Sequence, residues 1–415
     1  MTSRKDFIKQ VGLGAALSPL LALEPVTRTF NQQLEHVDFS KLPNKRDYGF
    51  GDEVTYLNHA SIGAIPNAVH KAHVELLTLC EQNPWLYMWG GDWEEPREQV
   101  RQKAADFIGA PSSEITISHN TTEVYNVLAM GLPLGPGDEV LFSNLNHAGA
   151  SIPFEYHSKR KGYTVREFNI PTDDVPSLTK SEIIQLHVDQ ITPATKLLVL
   201  PHIDNSVGIR QPVKEIVKAA REKGVEYISL DAAQTVGMIP FSVNDLDVDV
   251  IATSTHKWIQ SPKGVSITYV RENMWEILEP MWVTWGQNRW GVSARRYEDY
   301  GTRNFPEVIT LGHALDFQMK LDENLKQNKL KTLWSLCQEL SEEHPKTIWR
   351  SSRDWELGGS LFAIEIKEEK ASDFAQRMFK DHGIVFRPFN NLNSVRISPN
   401  YMTSEDEVRR FFELI

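Results

Sequence analysis

Ser229–Lys257 reads SLDAAQTVGMIPFSVNDLDVDVIATSTHK, and the fold is decided by how its two apolar runs are read. Val225–Leu230 and Val248–Thr253 have the length and β-branched content of buried strands. The first run ends on Asp231, and the second leads into Ser254-Thr255-His256-Lys257. Parallel α/β sheets place ligands at the carboxyl ends of their strands. An acid and a lysine far apart in sequence are therefore expected at one sheet edge.

That pair meets the needs of pyridoxal phosphate (PLP). The PLP aldehyde is held as an imine by a lysine, and its ring nitrogen must stay protonated to draw electrons. A carboxylate beside that nitrogen keeps the proton in place. Lys257 is the candidate imine lysine and Asp231 the candidate pyridinium partner. Gln234 can donate to the phenolic oxygen, and Ser254 and His256 flank the lysine as phosphate contacts. A solitary Asp or Lys reads as a turn acid or a solvated loop lysine. DxxQ after one strand together with SxHK after another carries the cofactor reading.

The 415 residues suffice for one large or two moderate domains, and a net charge of −11 argues against nucleic acid or an anionic membrane as main partner. Cys80 and Cys337 form neither a disulfide framework nor a zinc pattern. Residues 1–25 differ from the rest: Ser3–Lys9 precedes the apolar run Val11–Leu23, which Pro19 interrupts. This resembles a twin-arginine export signal with Lys5 in place of the second arginine. A periplasmic or exported protein follows, with no membrane in its mature form, because the run is too short for a span. No A-x-A cleavage site is evident, so an amphipathic N-terminal helix of a cytoplasmic protein is the alternative. Gly12–Ala15 has the look of a dinucleotide loop but lacks a preceding strand.

Further along, a short strand, Val54–Leu57, opens LNHASIGAIP (Leu57–Pro66). Helical periodicity covers Val69–Gln82 and Val100–Ile108, with an aromatic cluster at Pro84–Trp89 between them. The strand Ile115–Ser118 runs through Thr121 and Thr122 into helical Val124–Met130. Free N–H groups, two hydroxyls and the helix dipole there favour a phosphate, unless Thr121 is only the N-cap. Strands Glu139–Ser143 and Lys196–Leu200 lead to Asn146–Ala150 and Pro201–Gly208, and helix Pro212–Lys223 returns the chain to its central stretch. This alternation to Val270 is a parallel-sheet signature. Pro306 marks the approach to a smaller domain of helices over Leu311–His344 and strands Leu361–Ile366 and Val395–Ile397. The expected division is a signal segment 1–25, an N-terminal arm and large domain 26–305, and a C-terminal domain 306–415.

DAAQ, STHK, LNHASIGAIP, the H-x-x-N-x-x-G at His202–Gly208 and the GTR at Gly301–Arg303 together resemble class V aminotransferases. These are fold-type I PLP enzymes and include cysteine desulfurases, kynureninase and isopenicillin N epimerase. The likeness runs from about Tyr56 to the C-terminus and is strongest toward the isopenicillin N epimerase-like branch. It implies a large, mainly parallel-sheet domain with helices on both faces and a smaller α+β C-terminal domain. It also implies a phosphate cup at Thr121 and Thr122, His147 stacked over the cofactor ring, and Asn205 beside Gln234 at the phenolic oxygen. Arg396, in an R-x-S setting, would clamp a substrate carboxylate with two parallel hydrogen bonds. Asn58 and His59 become candidates for substrate contact, and Thr302 for reaching a partner's cofactor phosphate across a homodimer.

Desulfurases of the group carry a nucleophilic cysteine shortly before the arginine, whereas here Phe386–Ser394 holds none. The expected function is therefore a PLP enzyme acting on the amino group or Cα of an amino acid, with transamination first. Epimerisation or C–S lysis is the alternative reaction, and a degenerate PLP-fold binding protein the alternative class. No Walker A, H-E-x-x-H or G-x-S-x-G motif supports another enzyme, and no metal is expected. The export segment resembles that of periplasmic PLP enzymes that tailor siderophores, which adds a peptide-bound amino acid to the substrate classes.

Overall fold

The computed structural model describes residues 19–298 and 301–415. The export motif Ser3–Lys9, most of the apolar run after it, and Tyr300 lie outside the described residues.

Seven strands build the main sheet: β1 (Ile115–Ser118), β2 (Glu139–Ser143), β3 (Thr164–Phe168), β4 (Thr195–Pro201), β5 (Tyr227–Asp231), β6 (Val250–Ala252) and β7 (Ser266–Val270). Their order is β1-β7-β6-β5-β4-β2-β3. All neighbours are parallel except around β7, which runs antiparallel to β1 and β6. The stretch 253–265 joining β6 to β7 holds no helix, so the chain turns back where a parallel crossover would need one.

Successive residues of the central strands feed two cores. Leu141, Leu198, Leu200, Ile228, Leu230 and Ile251 face one, and Val140, Phe142, Leu197, Val199, Val250 and Ala252 face the other. That period of two, apolar on both faces, explains why the strands read as continuous hydrophobic runs. The chain leaves β2 toward the β3 edge and leaves β4 the opposite way, toward β5. Diverging connections open a crevice at the strand ends, which is where this architecture holds ligands.

A second, antiparallel sheet has the order Arg387–Phe389, Ser394–Ile397, Phe362–Ile366, Thr347–Trp349. Helices Glu323–Glu343, Ala371–His382 and Glu405–Glu413 accompany it, and Leu333, Trp334, Phe374 and Phe411 fill its core. The boundary expected at 306 moves. Helix Phe305–Met319 buries Val308, Leu311, Ala314 and Leu315 in the large core, beside helices Asn67–Gln82 and Glu94–Ile108. Being apolar on nearly all sides, it is enclosed by that core. The expected cut at 25 likewise falls inside helix Pro19–Glu35, whose Leu23, Val26, Phe30 and Leu34 join the same core.

Thr55–Tyr56 pairs in parallel with Ile384–Val385, and Asn58 bridges to Ser398. The segment after Tyr56 is thus threaded between the C-terminal sheet and the ends of the main strands.

Candidate active site

Asp231 ends β5 and is buried, 7% exposed. Its backbone carbonyl accepts from His202 N at 2.8 Å, and its Oδ1 accepts from Ala233 N at 2.9 Å. Burial pushes the carboxyl pKa up, while Lys257, the Ala233 N–H and His147, in that order, pull it back. An acid so placed gains from any cation brought beside it.

Lys257 lies on the loop after β6. Threonine hydroxyls pin that loop to β7: Thr253 Oγ1 donates to Ile267 O and Thr255 Oγ1 to Val265 O, both at 2.6 Å. Trp258, fully buried, donates its indole N–H to Gln234 Oε1 at 2.9 Å. Gln234 Nε2 in turn donates to Ala60 O at 2.9 Å. Gln234 therefore ties three segments together, and one of its amide N–H groups remains for a cofactor oxygen. Burial holds the Lys257 amine down at about 8; Asp231 opposes this and Arg396 adds to it.

The helix Thr121–Gly131 aims its N-terminus at the same place. Its N-cap is Asn120, whose side chain accepts from Glu123 N at 3.0 Å, so Thr121 is not the cap. Thr121 Oγ1 is instead bonded to Thr253 O at 2.8 Å and to Ser254 Oγ at 2.9 Å. Thr122 is exposed toward the cavity. His256 is half-buried, with Nδ1 unpartnered among the described residues, and burial holds its pKa down to about 4.

These groups wall one cavity of about 630 Å³ together with His147, Asn205, Arg387, Phe389 and Arg396. Its volume falls within the range of small-molecule and cofactor sites. His147 caps helix Ala148–Lys161, its Nδ1 accepting from Gly149 N at 3.0 Å, so the neutral ring carries its proton on Nε2. Burial lowers its pKa and Asp231 raises it.

Arg396 is 3% exposed, and its pKa is lowered to about 9 by burial and then by Arg387. The open two-pronged clamp expected of it is not what the structure holds. Nη1 donates to Asn205 O at 2.8 Å, and Nη2 donates to Asn58 Oδ1 at 3.0 Å and to Ser61 Oγ at 2.5 Å. Nε is buried without a partner among the described residues. A guanidinium with five N–H groups thus keeps one uncommitted Nη donor.

Two expected residues fall elsewhere. His59 is completely buried, packs edge-on against Tyr56 at 5.0 Å and does not line the cavity; burial holds its pKa down to about 3. Asn58 and Ser61 turn toward Arg396, whereas His59 points the other way into the packing. Thr302 is exposed and is absent from the cavity lining of its own chain. Sequence reading missed Ser61, Ile62, Arg387 and Phe389. The signal for the last two was alternation, since residues 387 and 389 fall on one face of a strand.

The donor set fits PLP: a buried carboxylate and an amine in one cavity, with a helix N-terminus and hydroxyls beside them. Comparison with known proteins agrees, the family model described as aminotransferase class-V matching residues 55–389. The chain belongs to this family. It is accordingly a PLP-dependent enzyme of fold-type I. An isopenicillin N epimerase from Amycolatopsis lactamdurans is 25% identical over 402 residues, 87% of this chain and 94% of that protein. A probable mitochondrial cysteine desulfurase from Dictyostelium discoideum is 30% identical over 287 residues, 68% of this chain and 60% of that protein. Among solved structures, the cystine C–S lyase C-DES in complex with cysteine persulfide superposes with a TM-score of 0.80 at 20% identity, covering 88% of this chain and 97% of that one. The cysteine desulfurase CsdA from Escherichia coli gives 0.76 at 23% identity, covering 89% and 96%.

Neither cysteine of this chain lines the cavity. Cys80 and Cys337 are buried on helices Asn67–Gln82 and Glu323–Glu343, and burial raises both thiol pKa values. Neither is an accessible, activated thiolate.

Proposed function

We propose that this enzyme acts on the amino group or Cα of a free or peptide-bound amino acid, and that its reaction is transamination. The observation that carries this reading is the shared cavity: a buried arginine for a carboxylate and an amine of pKa about 8 line the same walls. PLP, when bound, supplies an electron sink that acidifies the Cα–H of an attached amine. Thr121, Thr122, Ser254 and His256 would hold its phosphate, Asp231 its ring nitrogen, and Asn205 and Gln234 its phenolic oxygen. Lys257 Nζ, titrating close to neutrality, is suited both to accept and to return a proton. Transamination requires one such group, and Lys257 supplies it. Arg396 orients the substrate carboxylate, with Asn58 and Ser61 holding the guanidinium in place. Ala60, Ser61 and Ile62 line the cavity and would shield the reacting carbon from water.

The test is incubation of the purified enzyme with amino acids and α-keto acid acceptors in deuterated water, followed by mass spectrometry. A keto product with matched amination of the acceptor supports transamination. Inversion at Cα without keto product would replace it with epimerisation, and release of sulfide or a persulfide with C–S lysis. Retained PLP without any product would leave a binding protein. We also propose a homodimer as the working form and export as the destination, the latter supported by Ser3–Lys9 and the apolar run behind it. Fractionation of cells expressing the chain, with Arg4 and Lys5 replaced as control, tests the destination.

A further inference from the structure

Arg387 and Arg396 stand directly opposite each other on adjacent antiparallel strands, and both line the cavity. Arg396 is buried and Arg387 exposed, so water screens their like charges only in part, and an anion lying between them would relieve the remaining repulsion. The ring of Phe389 lies near both cations, 5.8 Å from the Arg387 guanidinium carbon and 5.6 Å from that of Arg396. Beyond that ring contact, the Arg387 guanidinium makes no hydrogen bond and no ion pair with any described residue. Arg396 likewise has no carboxylate within ion-pair distance among the described residues. Asp204, whose charge acts on Arg396, already accepts from Ser206 N and Oγ, Val207 N and Ile209 N, at 2.6–2.8 Å.

Among the described residues, the cavity lining carries two guanidinium groups, and Asp231 is its one carboxylate. Asp231 would serve the ring nitrogen of bound PLP, and the helix N-terminus with the hydroxyls of Thr121, Thr122 and Ser254 would hold its phosphate. One α-carboxylate on Arg396 would leave the Arg387 guanidinium without a hydrogen-bond or ion-pair partner among the described residues. Arg396 has a single Nη donor to spare, whereas Arg387 has its whole planar fork open.

We propose that Arg387 is a specificity residue that receives a second anionic group, so that the substrate is an amine bearing two carboxylates. This rests on the reading that Arg396 takes the α-carboxylate.

The test is ligand binding to the PLP-loaded enzyme, followed by change in the visible cofactor band and by calorimetry. Aspartate, glutamate and 2-aminoadipate are compared with asparagine, glutamine and norleucine, in wild type, Arg387→Met, Arg387→Lys and Arg396→Met. Wild type is expected to favour the dicarboxylate at one chain length. Arg387→Met should weaken that ligand on the order of ten- to a hundredfold, the size of one lost charge-assisted contact, and its neutral counterpart far less. Arg387→Lys should retain part of the preference, and PLP content should not change in either variant. The proposal is overturned if wild type shows no preference at any length, or if Arg387→Met weakens acid and neutral ligands alike. Arg396→Met separates the underlying reading. Loss of both ligand classes upholds Arg396 as the α-carboxylate site, whereas unchanged binding of both refutes that site whatever Arg387 does.

Discussion

Lys257 owes its chemistry to its surroundings. An exposed lysine titrates near 10.5, and burial brings this one to about 8 against the pull of Asp231. Only the neutral amine attacks an aldehyde, so a lowered pKa enlarges the reactive fraction at lower pH. Attachment of PLP to apo-enzyme should therefore accelerate as pH rises and level off above about 8. A midpoint near 10.5 in stopped-flow absorbance would show that burial does not tune the group. Lys257→Ala should abolish the borohydride-fixed cofactor and all turnover while leaving circular dichroism unchanged. Asp231→Asn should still bind PLP but lose roughly a hundredfold or more in rate, the effect of one well-placed electrostatic contact. Wild-type turnover in that variant would remove Asp231 from the mechanism. Lys257 and Asp231 were legible in sequence because Asp231 ends one strand and Lys257 lies on the loop after the next, and both apolar runs are local and unmistakable. Arg387 was not, because its meaning comes from register: nothing in RPFNNLN shows that it will stand opposite Arg396.

The element that assembles the site is the segment 58–63. Gly63 N donates to His256 O at 2.7 Å, and a Cβ at Gly63 would come within 1.8 Å of Lys257 O. Only glycine lets this backbone lie against that of the catalytic loop. Relieving the clash means moving either the loop that carries Lys257 or the segment that carries Ser61 and Asn58. Gly63→Ala should consequently destabilise by about 1–3 kcal/mol, the usual size of an overpacking strain, and lose more activity than stability. Chemical denaturation alongside turnover measures both, and a variant with unaltered midpoint and rate would show that the contact is not tight. The sequence LNHASIGAIP marked this segment as important but could not say which residue faces the cavity. His59, flanked by two useful neighbours, was the natural choice. It is instead the residue that anchors the segment, because a short strand pairing with Ile384–Val385 sets the direction in which each side chain leaves.

At the scale of the whole molecule, the exposed aromatics stand out against a well-filled interior. Trp85 is 65% exposed and Trp285 75%, while Trp89 and Trp285 lie with ring centroids 6.3 Å apart. Two segments separated by about two hundred residues of chain thus meet in one apolar patch, and Val283 and Val292, close to Trp285 in sequence, are also exposed. Patches of this kind on a globular protein mark contact surfaces, and they bring association free energy in proportion to the apolar area covered. The chain passes from this patch into Gly301-Thr302, whose exposed threonine lies outside the lining of its own cavity. If the patch is covered by a second copy, Thr302 is carried toward that copy's phosphate cup, and dimerisation and cofactor affinity become linked. A paired substitution, Trp85→Asp with Trp285→Asp, should then convert a dimer to a monomer and weaken PLP binding in the same protein concentration range. Thr302→Ala should weaken PLP binding while leaving the dimer intact. Sedimentation equilibrium with parallel PLP titration reads both quantities. A wild-type monomer retaining full PLP at working concentration would separate the patch from the site and return Thr302 to the role of a surface turn.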